Sequence, residues 1–178
     1  MILYCLRHGQ AEHNINHLMN GDPSKPYHLT ELGKQQAIET RGKLKDISFD
    51  IIITSEMPRA IETAKIINKN NVNQVKDKRL NDLDSGVEEK TYKEYKAEQK
   101  RLAEIQNIDT RDVRINKGES FNDEKNRIWN FLKELKIKNY KNVLLIAHFD
   151  TIIAIDEYAN KNISQNKPKN CEIFRFEI

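Results

Sequence analysis

Two arginines and two histidines stand where apolar runs of this chain stop. Ile2–Leu6 gives way to Arg7 and His8, Asp50–Thr54 is followed by Ser55 and Arg59, and the run Asn142–Ala147 ends at His148. Short β-branched and aliphatic runs of this kind read as buried strands. If those strands are parallel, their ends meet above one edge of a sheet, where open α/β folds bind ligands. The chemistry this suits is phosphoryl transfer. Two guanidinium forks can hold the equatorial oxygens of a phosphoryl group by paired hydrogen bonds, which lysine cannot match geometrically. A neutral imidazole can then attack phosphorus. Taken singly, each residue has a blander reading: a histidine of this sort is more often structural, and Arg59 on a helix face would be an ordinary solvated arginine.

The intervening sequence supplies elements to position these groups. Gln10 to His28 is polar, contains Gly and Pro, and reads as loop. Thr30 is a good N-cap, Glu31 puts negative charge in the first turn, and a helix is expected from there to about Leu44. After the second strand, Ser55 reads as an N-cap and Pro58 as a first-turn residue of a helix carrying Ile61, Ala64 and Ile67. A short strand is expected at Gln74–Lys76. Residues 79–118 are rich in Lys and Glu, with Tyr92, Tyr95 and Leu102 on one helical face, and read as an insertion over the sheet edge. Ser120–Leu135 is an amphipathic helix, Thr151–Tyr158 another helix, and Glu172–Ile178 a closing strand. The expected fold is one domain spanning 1–178. It is α/β in class, a three-layer αβα sandwich with a mostly parallel central sheet and a helical insertion.

Composition narrows the alternatives. With 178 residues, 38% of them hydrophobic and 32% charged, the chain can bury one core and has no surplus for a bilayer. No apolar stretch approaches the roughly 20 residues of a membrane span, and the N-terminal run is expected to be a strand, not a signal peptide. A net charge of +3, with lysines and acids interspersed, favours solvated faces over nucleic-acid binding. Cys5 and Cys171 lie in strand-like segments and read as small buried hydrophobes in a reduced, cytoplasmic setting, although two cysteines could pair. His13 and His17 have the i, i+4 spacing of metal ligands, but their segment reads as loop and offers no third ligand, so no metal is expected.

Five ordered segments carry a resemblance. Leu6–Asn14 (LRHGQAEHN) resembles the opening signature of the histidine phosphatase superfamily, also called phosphoglycerate-mutase-like. Leu29-Thr30 with Gly33 and Gln36-Ala37 is similar to its LT..G..QA segment. Thr54-Ser55 with Arg59-Ala60 and Thr63-Ala64 is similar to its TS...RA..TA segment. Gly118-Glu119-Ser120 resembles its GES motif, and Leu144–His148 the strand that ends in its second histidine.

The resemblance implies that His8 is the phosphorylated nucleophile. Arg7 and Arg59 would clamp the phosphoryl group, and His148 would stabilise its developing charge. Asn14, Asn20 and Gly21 fall at positions that line the phosphate pocket. Leu80-Asn81-Asp82 with Gly86 and Glu89 is similar to the segment that holds the family's acid, with aspartate in place of glutamate, so Asp82 is the expected proton donor and Glu88 or Glu89 the substitutes. Phe149 stands where the family usually has glycine, and either narrows the pocket or points into the core. Ala11 and His28 also depart from residues often polar or acidic in relatives. No metal or organic cofactor is implied.

The function these readings predict is hydrolysis of a small phosphomonoester by double displacement at His8. A phosphoglycerate-type mutase is the nearest alternative, and a noncatalytic phosphate-binding or interaction module is the alternative of another class. No nucleic-acid or membrane partner is expected, and the sequence assigns no oligomeric state.

Overall fold

The computed structural model describes residues 1–178, and its chain path follows hydrophobic periodicity closely. Strand β1 (Ile2–Arg7) leads through a short helix α1 (Glu12–Ile15) to helix α2 (Glu31–Leu44). Strand β2 (Ile51–Thr54), helix α3 (Pro58–Ile67) and the edge strand β3 (Gln74–Lys76) follow. Helix α4 (Tyr92–Gln106) is flanked by single 3-10 turns at Lys78–Leu80 and Thr110–Asp112. Helix α5 (Phe121–Ile137), strand β4 (Asn142–Ala147), helix α6 (Phe149–Asn160) and strand β5 (Ile173–Glu177) complete the chain.

The sheet order is β3-β2-β4-β1-β5. Pairings β1–β4, β2–β4 and β2–β3 are parallel, and only β5 runs antiparallel, against β1. Arg7 pairs with Ala147, and Thr54 with Ile146, so the three strands carrying site residues end at nearly one level. Alternation along β4 distributes its side chains to two cores. Val143, Leu145 and Ala147 join Ile128, Leu132 and Ile152 of α5 and α6 on one face. Leu144 and Ile146 join Leu44, Ala60 and Ala64 of α2 and α3 on the other. The result is the three-layer arrangement expected, with both faces of a mainly parallel sheet covered.

Three expectations change. The loop from Gln10 to His28 contains α1, which is capped by Asn14 Oδ1 accepting from the Ala11 N–H at 3.0 Å. Helix α6 begins at Phe149, two residues before the expected Thr151, with His148 as its N-cap. The segment around α4 does not lie over the sheet edge. It packs on the first loop, through Met19 N–H to Lys90 O (2.8 Å) and Tyr92 N–H to His17 O (2.8 Å), and has a small core of its own around Tyr95, Ala103 and Val113. Its charged sequence reveals a helix but not a docking partner. A capping box between Thr91 and Glu94 starts that helix.

Both cysteines are buried and free; Cys5 lies in β1 as read, whereas Cys171 precedes β5 as a turn residue with φ of 57° and is not in a strand. Burial pushes the Cys5 thiol far up and the Cys171 thiol up to about 12. No helix is long and apolar enough to cross a membrane.

Candidate active site

The end of β1 delivers His8 into the site fully buried. Its Nδ1 lies 2.7 Å from Gly9 O, an atom that can only accept, so Nδ1 carries the proton and Nε2 keeps its lone pair. Arg59 Nε–H donates to that lone pair at 3.2 Å. Burial is the main cause holding the His8 pKa well below 6.5, and Arg59, His148, Arg7 and His13 add to it. The ring is therefore neutral and aimed by its tautomer.

Arg59 projects from the first turn of α3 and is fully buried. A buried guanidinium is tolerable only when its donors are used. Nη1 donates to Asn20 Oδ1 (2.6 Å), and Nη2 to Asn20 O (2.9 Å) and Asp82 Oδ2 (2.8 Å). Nη2 also lies 3.4 Å from His148 Nδ1. His148 is itself buried, with ring centroid 5.3 Å from that of His8 and its Nδ1 3.3 Å from Asp82 Oδ2. Its position at the N-terminus of α6 favours negative charge beside it. Burial, then the charge of Arg59, keeps its pKa well below 6.5.

Arg7 enters from the other side. Nη1 donates to Pro168 O at 3.2 Å, while Nε is buried with no partner in the protein. That N–H is a free donor for an anion. Phe149 flanks it, with the guanidinium carbon 5.6 Å from the ring centroid. Phe149 thus borders the site instead of entering the core.

The sequence-predicted residues divide by placement. His8, Arg59, Asp82 and His148 come together in one cluster beside a cavity of about 450 Å³; Arg7, Asn14, Asn20, Asp82 and Phe149 line that cavity, whereas the buried His8, Arg59 and His148 lie behind its lining. Gly21 differs from expectation: it does not line the cavity, and its N–H is given to Glu88 at 2.9 Å. A side chain at Gly21 would meet Leu83 O at 2.2 Å, so the residue serves a close backbone approach. Glu88 holds Gly21 and Asn20, and Glu89 pairs with Lys25 at 3.2 Å on the surface. Neither glutamate is among the cavity's lining residues, and Asp82 alone of the three carboxylates contacts Arg59 and His148.

Ser55 is corrected. It was expected to cap α3, but Met57 is the N-cap, with no side-chain hydrogen bond of its own to the helix. Ser55 Oγ instead lies 2.8 Å from His148 Nε2 and accepts from Met57 N–H at 3.3 Å, fixing the ring. Tyr92 and Tyr95, read as sharing one helical face, separate: Tyr95 is buried, and Tyr92 lines the cavity. His13 and His17 do not form a metal pair. His13 is buried with its ring centroid 5.6 Å from that of His8, and accepts at Nε2 from Asn14 Nδ2 at 2.9 Å, while His17 is an exposed residue of the cavity rim. No group of three or more His, Cys, Asp or Glu side chains is arranged to hold a metal ion.

Sequence reasoning missed two groups outright. Asp150, in the first turn of α6, lines the cavity. Glu124 of α5 is fully buried, with Oε1 accepting from Thr151 Oγ1 at 3.3 Å. An acid two residues past a strand-end histidine was a readable signal for Asp150, while Glu124 sits in a helix where its side-chain direction was not legible.

The motif residues that touch no cavity also find a role. Thr63 Oγ1 accepts from Gly9 N–H (3.0 Å), Gln36 Oε1 accepts from Gln10 N–H (2.8 Å), and Thr30 Oγ1 donates to Gln10 Oε1 (2.9 Å). They pin the turn that carries His8. A model of the histidine phosphatase superfamily (branch 1) matches residues 3–178. The chain belongs to that superfamily. A relative from Cronobacter sakazakii named "Probable phosphoglycerate mutase GpmB" is 29% identical over 185 residues, covering 98% of this chain and 84% of the relative. Among solved structures, the alpha-ribazole phosphatase of Shigella flexneri superposes with TM-score 0.81 at 24% identity, covering 100% of this chain and 91% of that one. A mycobacterial glucosyl-3-phosphoglycerate phosphatase, solved with VO3, gives 0.81 at 23% identity, with 98% and 91% covered. These likenesses establish a common fold.

Proposed function

We propose that the chain is a phosphomonoester hydrolase that works through phosphohistidine at His8 on a small phosphorylated metabolite. The observation that carries the reading is the single buried guanidinium of Arg59, which touches His8 Nε2, Asp82 and His148 at once. In the proposed first step a phosphoryl group draws donors from Arg59 and the free Arg7 Nε–H, releasing the His8 lone pair. Nε2 forms the P–N bond as the ester P–O bond breaks. Asp82, entering the step as the carboxylic acid, gives its proton to the departing oxygen. In the second step Asp82 takes a proton from water, the water oxygen bonds to phosphorus, and the P–N electrons return to His8 as phosphate leaves. His148 and the arginines stabilise the charge on the equatorial oxygens in both steps, the preorganised electrostatic contribution expected to dominate such reactions.

Hydrolysis over mutase action is supported by access. The Asp82 side chain is 22% exposed, at the cavity of about 450 Å³, so water can reach the carboxylate that would activate it. The mutase reading draws on the names of the sequence relatives. Incubation with 3-phosphoglycerate separates the two, since free phosphate supports hydrolysis and 2-phosphoglycerate without free phosphate supports the mutase. The hydrolase reading is tested with p-nitrophenyl phosphate. His8→Ala is expected to lower turnover by at least about a thousandfold, and equal turnover by the variant would remove His8 from the mechanism. A reduced, cytoplasmic setting fits the free thiols and completes the proposal.

A further inference from the structure

We propose that the leaving-group side of this site selects phosphomonoesters of neutral or cationic alcohols and disfavours those that carry a second anion. The inference rests on the phosphohydrolase reading and specifies its substrate class. Its basis is what remains charged once the phosphoryl group is held. In the reading above, Arg7 and Arg59 are committed to the two negative charges of the phosphoryl dianion. The acidic side chains left lining the cavity are then Asp150 and Asp82, the latter gaining its charge as it gives its proton to the leaving oxygen. No lysine lines it. His13 stays neutral, because burial lowers its pKa to about 3, and His17 lies exposed at the rim.

A second cavity of about 290 Å³ adjoins the first and shares Leu83, Tyr92, Phe149 and Asp150 with it, which gives an alcohol room to extend. Of its two cations, Arg111 is paired with a carboxylate, while Lys96 is held by groups that carry no negative charge. Arg111 Nη2 donates to both oxygens of Glu157, at 2.7 and 2.8 Å. Lys96 Nζ donates to Gln99 Oε1 at 2.9 Å and lies over the rings of Tyr92 and Tyr95, 5.5 Å from each centroid. Asp150 stands at the junction of the two cavities. Burial raises its pKa to about 6 and the nearby Asp82 adds to the rise, while Lys96, Arg7 and Arg111 oppose it. A carboxylate or second phosphate on the alcohol would approach Asp150 and the charge developing on Asp82 as its proton departs, beside two aromatic walls. An amine or hydroxyl would find acceptors there, and an apolar ring would find Tyr92 and Phe149.

The test compares kcat/KM for O-phosphoethanolamine, glycerol 3-phosphate and 3-phosphoglycerate, with p-nitrophenyl phosphate as the check on the chemistry. In the wild type, 3-phosphoglycerate is expected to fall at least about tenfold below glycerol 3-phosphate, with O-phosphoethanolamine at or above it. Asp150→Asn should narrow the gap between glycerol 3-phosphate and 3-phosphoglycerate by at least about threefold, and Asp150→Glu should keep it. A purely structural role for Asp150 would lower all three substrates together and leave the ratio unmoved. Turnover of 3-phosphoglycerate matching that of glycerol 3-phosphate, or a ratio unchanged in Asp150→Asn, overturns the inference and leaves the hydrolase reading standing. The wild-type comparison decides the question even if a variant fails to fold. Absence of turnover on every ester, p-nitrophenyl phosphate included, overturns both.

Discussion

Arg59 shows how much one side chain is asked to do. Its guanidinium donates to Asn20, contacts Asp82 and His148, and holds the lone pair of His8, which in the proposed mechanism is released when a phosphoryl group takes the same donors. Asp82 is the partner whose chemistry can be isolated. Asp82→Asn keeps an oxygen for Arg59 and removes only the transferable proton. The loss should depend on the leaving group, so kcat/KM for an alkyl phosphate is expected to fall at least about a hundredfold, while that for p-nitrophenyl phosphate falls less than about tenfold. Equal losses on both esters would show that Asp82 positions groups and transfers no proton. His8, Arg7, Arg59 and His148 were legible because strand ends and arginine forks point to one chemistry. Asp82 needed the family resemblance, since carboxylates abound between Asp77 and Glu89. Ser55 was legible as a polar residue but misassigned, because a serine ahead of a proline-led helix reads as a cap. Its true partner, His148, is 93 residues away.

At the scale of elements, the turn after β1 is held by α2, which contributes nothing to the cavity, and by Thr63 of α3, the helix that also carries Arg59. Gly9 and Gly33 meet so closely that a side chain at Gly33 would lie 2.0 Å from Gln10 O, and one at Gly9 would lie 2.5 Å from Gly33 O. The N-terminal turn of α2 therefore presses against the backbone that presents His8. Gly33→Ala is expected to cost at least about 2 kcal/mol in urea-unfolding free energy, because a backbone contact cannot relax as a flexible side chain would. Retention of full stability would mean that the turn has slack. Helix-and-strand order was legible from periodicity in all five strands. Helix α1 was not, since four residues carry too little period to register. The docking of the α4 segment on the first loop was not legible either. It depends on backbone hydrogen bonds between residues 17–19 and 90–92, to which side-chain pattern is silent.

Across the whole molecule, the site places three neutral imidazoles in one buried cluster, and this couples folding to pH. His8, His13 and His148 all have folded-state pKa values below the unfolded value of roughly 6.5. Below that value the unfolded chain binds protons that the folded chain refuses, so these groups lower stability as the pH falls through it. Glu124 and Asp150, whose pKa values are raised by burial, act in the opposite sense. The variant His13→Gln isolates one group, and its side-chain oxygen can still accept from Asn14. Between pH 7 and pH 5 its loss of unfolding free energy should be smaller than that of the wild type by about 2 kcal/mol. Identical losses would mean that His13 takes up its proton in the folded state. The three-layer architecture was legible from the alternation of strands and helices, and the burial of His13 beside His8 was not, because the polar loop that carries it gives no sign of which residues turn inward.

The most direct measurement is a rapid acid or base quench during turnover of p-nitrophenyl phosphate, followed by peptide mapping of the phosphorylated residue by mass spectrometry. The account predicts a base-stable, acid-labile phosphoryl group on His8, absent in His8→Ala. A phosphoryl group on His13, His148 or a serine, or full turnover with no phosphohistidine formed at any time, would contradict it.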